Sequence, residues 1–180
     1  KLKALGVCEF LDRAVQDGRI RYPGFSIHDE FAVFKEILDS YSWSMCLVQM
    51  NYMNEDYQVG LDGVHYASYK EVPVIIMEPL LGGKLARKPP AEIQAVWDKA
   101  KNKWSPAEWA FRWLANFPET TVVLSGMSTM EQLNENLGIF SRAKVGNLSE
   151  RELSLVDQVK QLYRERTVIS CTSCRYCMPC

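Results

Sequence analysis

Val72-Pro-Val-Ile-Ile-Met-Glu78 is the stretch on which the fold turns. Its apolar residues follow one another without alternation, which suits a strand buried on both faces, and such strands belong to parallel sheets covered by helices. Pro79, Gly82 and Gly83 then end the run. Before it, a polar loop through Asn54 and Asp56 leads into a helical pattern from Leu61 to Lys70, and Cys46–Asn51 reads as another strand. Farther upstream, Ile20–Ser26 reads as a strand, and Asp29 is placed to cap a helix through Phe31, Phe34, Ile37 and Leu38. Leu5, Cys8, Leu11, Ala14 and Val15 predict an opening helix over Leu2–Asp17, stopped by Gly18.

Downstream the same beat continues. Pro89-Pro90 punctuates the chain, and Ala91–Lys103 has helical character. Ser105-Pro106 is an N-cap and first-turn pair for a helix through Trp109, Phe111, Trp113 and Leu114. Thr120–Leu124 is a β-branched strand, and Leu133, Leu137 and Phe140 give Met130–Phe140 a helical period. Ser149 and Glu152 fit a capping box for a last helix whose Leu153, Val156, Val159 and Leu162 face inward. Four strands alternating with helices and joined by no tight hairpin imply crossovers, hence a parallel α/β sheet. Either an open doubly wound sheet or half of a closed (β/α)8 barrel satisfies that pattern.

With 180 residues, 47% of them hydrophobic, the chain can bury a substantial core as one body. Its 21 basic and 22 acidic residues leave no field to attract nucleic acid or an anionic membrane, so small molecules or proteins are the expected partners. The longest apolar runs fall well short of the roughly 18 residues a membrane span needs. Four of the five Trp residues, Trp97, Trp104, Trp109 and Trp113, fall in helical stretches and are expected to seal helices onto the sheet.

Four of the six cysteines crowd into Cys171-Thr-Ser-Cys174-Arg-Tyr-Cys177-Met-Pro-Cys180. Thiolates separated by two residues each can turn inward around one inorganic core, and the spacing differs from the bacterial iron–sulfur run only in its last gap. A structural zinc site normally needs two knuckles converging from either side of a longer loop. A disulfide framework suits a small secreted domain, whereas Cys8 and Cys46 stand far away in apolar settings and read as buried thiols. Tail thiols without a role would be open to oxidation. Iron–sulfur is therefore the leading reading, with metal ligands Cys171, Cys174, Cys177 and Cys180, and it favours a reducing compartment such as the cytoplasm. A first residue other than Met and a last residue that is a cluster cysteine suggest a fragment.

A second constellation follows the fourth strand, Leu124-Ser-Gly-Met-Ser-Thr-Met-Glu-Gln-Leu-Asn-Glu-Asn-Leu137. Gly126 allows close backbone approach, Ser128 offers a hydroxyl, and the N–H groups near Thr129–Glu131 would favour an anion. Gln132, Glu135 and Asn136 share a helical face that could bond a ribose or base. An ordinary loop followed by a solvated polar face would have the same pattern.

Val122–Leu137 resembles the eighth strand and following helix of the aldo-keto reductases, through Gly126, Ser128, Gln132, Glu135 and Asn136. Gly24-Phe25-Ser26, Val48-Gln49-Met50-Asn51 and Met77-Glu78-Pro79-Leu80 with Gly82-Gly83 resemble the ends of that family's strands five, six and seven. The resemblance implies the C-terminal half of a (β/α)8 barrel over residues 1–166. It also implies an NADP or NAD site in which Ser26 lies at a strand end and Gln49 holds the nicotinamide carboxamide. Met77, Glu78, Pro79 and Leu80 would lie along the nicotinamide and pyrophosphate, and the loop at Gly126 and Ser128 would hold the adenosine end. Met77 stands where many relatives have an aromatic ring, Ile27 where an Asn or Arg is frequent, and Gly126 and Gln132 where one branch carries Lys and Arg, so the resemblance does not choose between the two dinucleotides.

The cysteine run is similar to the tail of a bacterial and archaeal branch of that family, which resembles a barrel fused to a two-cluster ferredoxin-like domain. Residues 167–180 would then begin that domain, with Cys171, Cys174 and Cys177 on one [4Fe–4S] cluster and Cys180 on the other. The implied activity is reduction of a small-molecule carbonyl or oxidation of an alcohol, with the clusters serving a possible redox partner protein. The family's catalytic Asp, Tyr, Lys and His lie on its first four strands, before the resemblance starts. No residue here inherits a catalytic role, and these residues alone are not expected to turn over substrate. A barrel serving as a non-catalytic scaffold or an electron-transfer subunit is the alternative.

Overall fold

In the computed structural model, which describes residues 3–166, the apolar run forms the third of four strands. These are β1 (Gly24–Ser26), β2 (Met45–Gln49), β3 (Val74–Met77) and β4 (Thr120–Val123). They lie side by side in the order β1-β2-β3-β4, and every neighbouring pair is parallel. A doubly wound sheet reverses its strand order at a switch point and carries helices on both faces, whereas a barrel sheet steps to the next strand each time. The uninterrupted order therefore selects the parallel α/β arrangement of a partial (β/α)8 barrel.

Seven α-helices are described: α1 (Val7–Gln16), α2 (Phe31–Leu38), α3 (Gly60–Tyr69), α4 (Ala91–Trp97), α5 (Pro106–Ala115), α6 (Met130–Phe140) and α7 (Glu150–Arg166). Side chains alternate across each strand. Cys46, Val48, Val74 and Ile76 are fully buried in one core with Phe34, Val64 and Trp109 from the helices. On the opposite face Leu47 and Ile75 are half-buried, and Met45 and Val122 are exposed. In a closed barrel that face lines the interior.

The tryptophans take the expected sealing role. Trp97 and Trp109 stack at 4.4 Å, and Trp104 meets Trp109 edge-on at 4.6 Å, which locks α4 and the following loop onto α5. At the end of α1, Gly18 has φ +69°, a conformation glycine adopts without steric cost, and Arg19 N–H reaches back to Ala14 O.

Several expected boundaries move, each for a local reason. Only Gly24–Ser26 of the first stretch pairs as strand, because Pro23 lacks an N–H and offers only its carbonyl, which accepts from Ser44 N–H at 2.8 Å. The helix from Ala91 stops at Trp97 rather than Lys103. The Lys103 ammonium donates to the carbonyls of Asp98 (2.8 Å) and Ala100 (3.2 Å), satisfying acceptors left by the early stop. Asp29 is one residue outside its expected place: Glu30 is the N-cap of α2 and makes no side-chain cap, while Asp29 Oδ1 accepts from Glu30 N–H. Cys46 is buried as expected, and burial pushes its thiol up to about 12. Cys8 is only half-buried, because Ala14 is the one buried residue of α1.

The capping box of α7 is complete. Ser149 Oγ accepts from Glu152 N–H at 3.3 Å, and Ser149 N–H donates to Glu152 Oε2 at 2.9 Å. Replacing Ser149 with alanine should cost about 1 kcal/mol of stability, read as a lower urea midpoint with unchanged m-value. An unchanged midpoint would show that the cap is energetically idle. Farther along α7, Lys160 is nearly buried and pairs with Glu55 and Asp157, which fastens the helix to the loop after β2.

Candidate active site at the strand ends

The C-terminal ends of all four strands fall on one rim. Ser26 closes β1, Gln49 closes β2, Met77 closes β3, and Gly126 follows β4. In a parallel barrel the loops after the strand ends build the site, while the opposite rim serves stability. A cleft of about 860 Å³ opens at this rim, between the loop after β3 and the start of α6, with Ser105 and Ala107 of the α5 entry as its third wall. Glu78, Pro79, Leu80, Gly126, Gln132, Glu135 and Asn136, all expected site residues, line it together. Ser26, Gln49, Met77 and Ser128 lie at the rim but outside the cleft wall.

The loop from Glu78 to Gly83 has an unusual backbone. Glu78, Leu81, Gly82 and Gly83 all have positive φ, and for Leu81 this is a sterically costly conformation. Asn51, wholly buried, holds the loop: its Nδ2 donates to Glu78 O at 3.1 Å, and its Oδ1 accepts from Met53 N–H at 3.1 Å. A Cβ built on Gly82, Gly83 or Gly126 would meet no atom within 4 Å, so the backbone there is open to a close-lying ligand.

Across the cleft, α6 begins with Thr129 as N-cap, its Oγ1 accepting from Gln132 N–H at 3.2 Å. Gln132 Oε1 in turn accepts from Ser128 N–H at 2.8 Å. The two donors so bonded, Ser128 N–H and Gln132 N–H, flank the Thr129–Glu131 N–H groups that were expected to face an anion. Glu135 accepts from Ser105 Oγ at 2.6 Å, and Asn136 Nδ2 donates to Ser125 Oγ at 3.0 Å. These bonds fix both side chains against the wall. Gln49 is nearly buried, with Nε2 donating to Tyr57 O at 3.3 Å, so its amide is oriented by the loop after β2.

Four contributors are not among the site residues expected from the sequence: Asn51, Arg87, Ser105 and Ser125. Ser105 carries a signal for its cap and none for its bond to Glu135. Among the histidines, His28 is exposed just past β1, and His65 is exposed on α3 beside Glu119 at 2.9 Å. Among the described residues no group of three or more His, Cys, Asp or Glu side chains could hold a metal. The expected ligands Cys171, Cys174, Cys177 and Cys180, with residues 167–180 as a whole, lie outside the described residues. No helix among those described is long and apolar enough to cross a membrane.

The model of the aldo/keto reductase family matches residues 2–161. A search of curated sequences found no match. Among solved structures, the holo form of the aldo-keto reductase AKR11C1 from Bacillus halodurans superposes with a TM-score of 0.68 at 18% identity, over 84% of this chain and 54% of that one. The thermostable aldo-keto reductase Tm1743, solved with the inhibitor epalrestat, gives 0.66 at 21% identity, over 84% of this chain and 53% of that one. The chain therefore spans about half the length of these structures. A family match covering most of the sequence, and a sheet wound in the sequential order of that family's barrel, place this chain in the aldo/keto reductase family.

Proposed function

We propose that the chain is the cofactor-binding half of an NAD(P)-linked oxidoreductase that moves hydride between a nicotinamide and a small carbonyl or alcohol. The observation that carries this is the cleft at the strand ends, where an open glycine backbone at Gly82, Gly83 and Gly126 faces the oriented side chains of Gln132, Glu135 and Asn136. Such a cleft fits an extended dinucleotide: backbone that a phosphate can approach at one place, and fixed amide and carboxylate groups for a ribose or base at another. Gln49 at the end of β2 would meet the carboxamide, with Ser26 and Met77 on the same rim and Ser128 at the mouth.

The cysteine run is proposed to hold [4Fe–4S] clusters, on the strength of its spacing and its resemblance to a ferredoxin-like tail. A nicotinamide transfers two electrons as hydride, and a cluster transfers one. The clusters are therefore assigned to exchange with a redox partner or to structure, and the barrel to hydride transfer.

Two measurements on the full-length protein, purified without oxygen, test the reading. Calorimetric titration with NADH and NADPH should show saturable binding of at least one, and iron and acid-labile sulfide should be present in equal amounts. Absence of dinucleotide binding overturns the hydride reading, and iron–sulfur without it supports an electron-transfer subunit. Zinc without sulfide overturns the cluster assignment.

A further inference from the structure

We propose that Lys160, on α7, is a positioning residue for the nicotinamide end of the site: through Glu55 it fixes the loop after β2 in the shape that orients the Gln49 amide. This rests on the reading of the strand-end rim as the dinucleotide site.

The Gln49 amide is held from the loop after β2 at both ends. Nε2 donates to Tyr57 O at 3.3 Å, and Oε1 accepts from Asn51 Nδ2 at 3.5 Å. An amide has two N–H donors and an oxygen with two lone pairs, so each end keeps one for a ligand carboxamide, which itself offers a donor and an acceptor side by side. The direction of those remaining groups follows from where the loop puts the Tyr57 carbonyl.

Tyr57 sits in a tight ring of chain. Glu55 O accepts from Leu61 N–H at 2.8 Å and closes it. Gln58 and Gly60 within the ring both have positive φ, and a Cβ on Gly60 would stand 2.9 Å from Glu55 O. Backbone of this kind persists only where its surroundings impose it. The group that grips the ring at Glu55 comes from 105 residues away: the Lys160 ammonium donates to the Glu55 carboxylate. It also donates to Asp157 Oδ1, on its own helix, at 3.0 Å.

The Lys160 side chain is 9% exposed, whereas that of Asp157 is 70% exposed. Burial works against the ammonium, and the bonds to Glu55 and Asp157 outweigh it, so its pKa is raised. Anchoring α7 does not require this pair, because Val156 and Val159 already share a core with buried Tyr52 of the same loop. Without the ammonium, the largely shielded Glu55 carboxylate would lack its counter-charge and turn toward water, drawing the ring and Tyr57 with it.

The test is calorimetric titration of the full-length protein with NADH and NADPH, and with ADP-ribose and its 2′-phosphate, which lack the nicotinamide. Lys160→Met should weaken whichever dinucleotide binds about tenfold and leave the matching ADP-ribose within about twofold, since only the carboxamide end is disturbed. Glu55→Gln, which keeps the size of the side chain, should show the same selectivity at smaller amplitude, and it decides alone if Lys160→Met does not fold. Asp157→Asn, which leaves the loop contact in place, should change neither. The double variant Lys160→Met/Gln49→Ala should bind no worse than Gln49→Ala, because both act through one amide. Equal losses of dinucleotide and ADP-ribose in a folded variant, no loss of either, or losses that add in the double variant would each overturn the inference while leaving the dinucleotide site intact. Binding of none of the four ligands by the native sequence would instead sink the site itself.

Discussion

Replacing Trp109 with alanine is expected to lower the folding stability by about 4 kcal/mol. The indole is fully buried, stacked on Trp97 at 4.4 Å with 14° between the planes, and met edge-on by Trp104. An aromatic side chain of this kind buries on the order of 200 Å², and at about 25 cal/mol per Å² the transfer loss alone is near 5 kcal/mol. One feature of the site reduces that figure. Trp109 Nε1 is buried with no hydrogen-bond partner among the described residues, and an unpaired buried donor costs about 1–3 kcal/mol. The indole therefore contributes by shape and area while its N–H works against it. Trp109→Phe removes the orphaned N–H and keeps most of the ring, so it should cost about 1 kcal/mol, much less than alanine. Urea unfolding followed by circular dichroism separates the two. Equal losses for phenylalanine and alanine would show that the N–H has a partner after all, and a small loss for alanine would show that α4 and α5 do not depend on this stack.

The order of elements was legible in the sequence because it rests on periodicity. The unbroken apolar run around Val74–Ile76 matches β3, although among the described residues only one of its faces is fully buried, and β-branched Thr120–Val123 and the heptad-like spacing of Leu133, Leu137 and Phe140 each match an observed element. Choosing between the doubly wound and barrel arrangements needed strand order, which periodicity does not encode. The ends of elements were less legible, since they depend on groups from elsewhere: Lys103 folding back on Asp98 and Ala100, or Pro23 withdrawing a donor. At the candidate site, the residues on α6 announced themselves by helical spacing. Ser105 and Arg87 did not, because they reach the cleft from separate segments, and adjacency across 30 residues, as between Ser105 and Glu135, leaves no local pattern.

Asn51, quoted in the Val48–Asn51 motif but given no role by the sequence, holds the cleft's loop, and Asn51→Ala is expected to cost about 3 kcal/mol in stability and to weaken the proposed dinucleotide binding about tenfold or more. Its amide ties two loops together. Nδ2 donates to Glu78 O, in the loop after β3, and Oδ1 accepts from Met53 N–H, in the loop after β2. Glu78 has φ +53°, a conformation that non-glycine residues rarely hold unless their surroundings impose it. Glu78 O also accepts from Leu81 N–H at 3.1 Å, within the same turn. Alanine would leave the Met53 donor unpaired, take one of two donors from the Glu78 carbonyl, and open a void where no water reaches from the surface, since Asn51 is wholly buried. The stability loss is therefore the sum of unsatisfied groups and lost packing. The binding loss has a different origin: with Glu78 free to relax toward negative φ, Pro79 and Leu80 would shift away from the cleft wall, and a site misplaced by about 1 Å commonly loses affinity by such factors. Asn51→Asp tests the division of labour. At this wholly buried position the carboxylate can still accept from Met53 N–H but meets two acceptors, Glu78 O and Gln49 Oε1, so it should cost at least as much stability as alanine and spare none of the binding. Equal binding by the native protein and both variants would show that the loop after β3 holds its shape without Asn51. A loss of binding in Asn51→Ala alone would place the essential bond at Met53 rather than at Glu78.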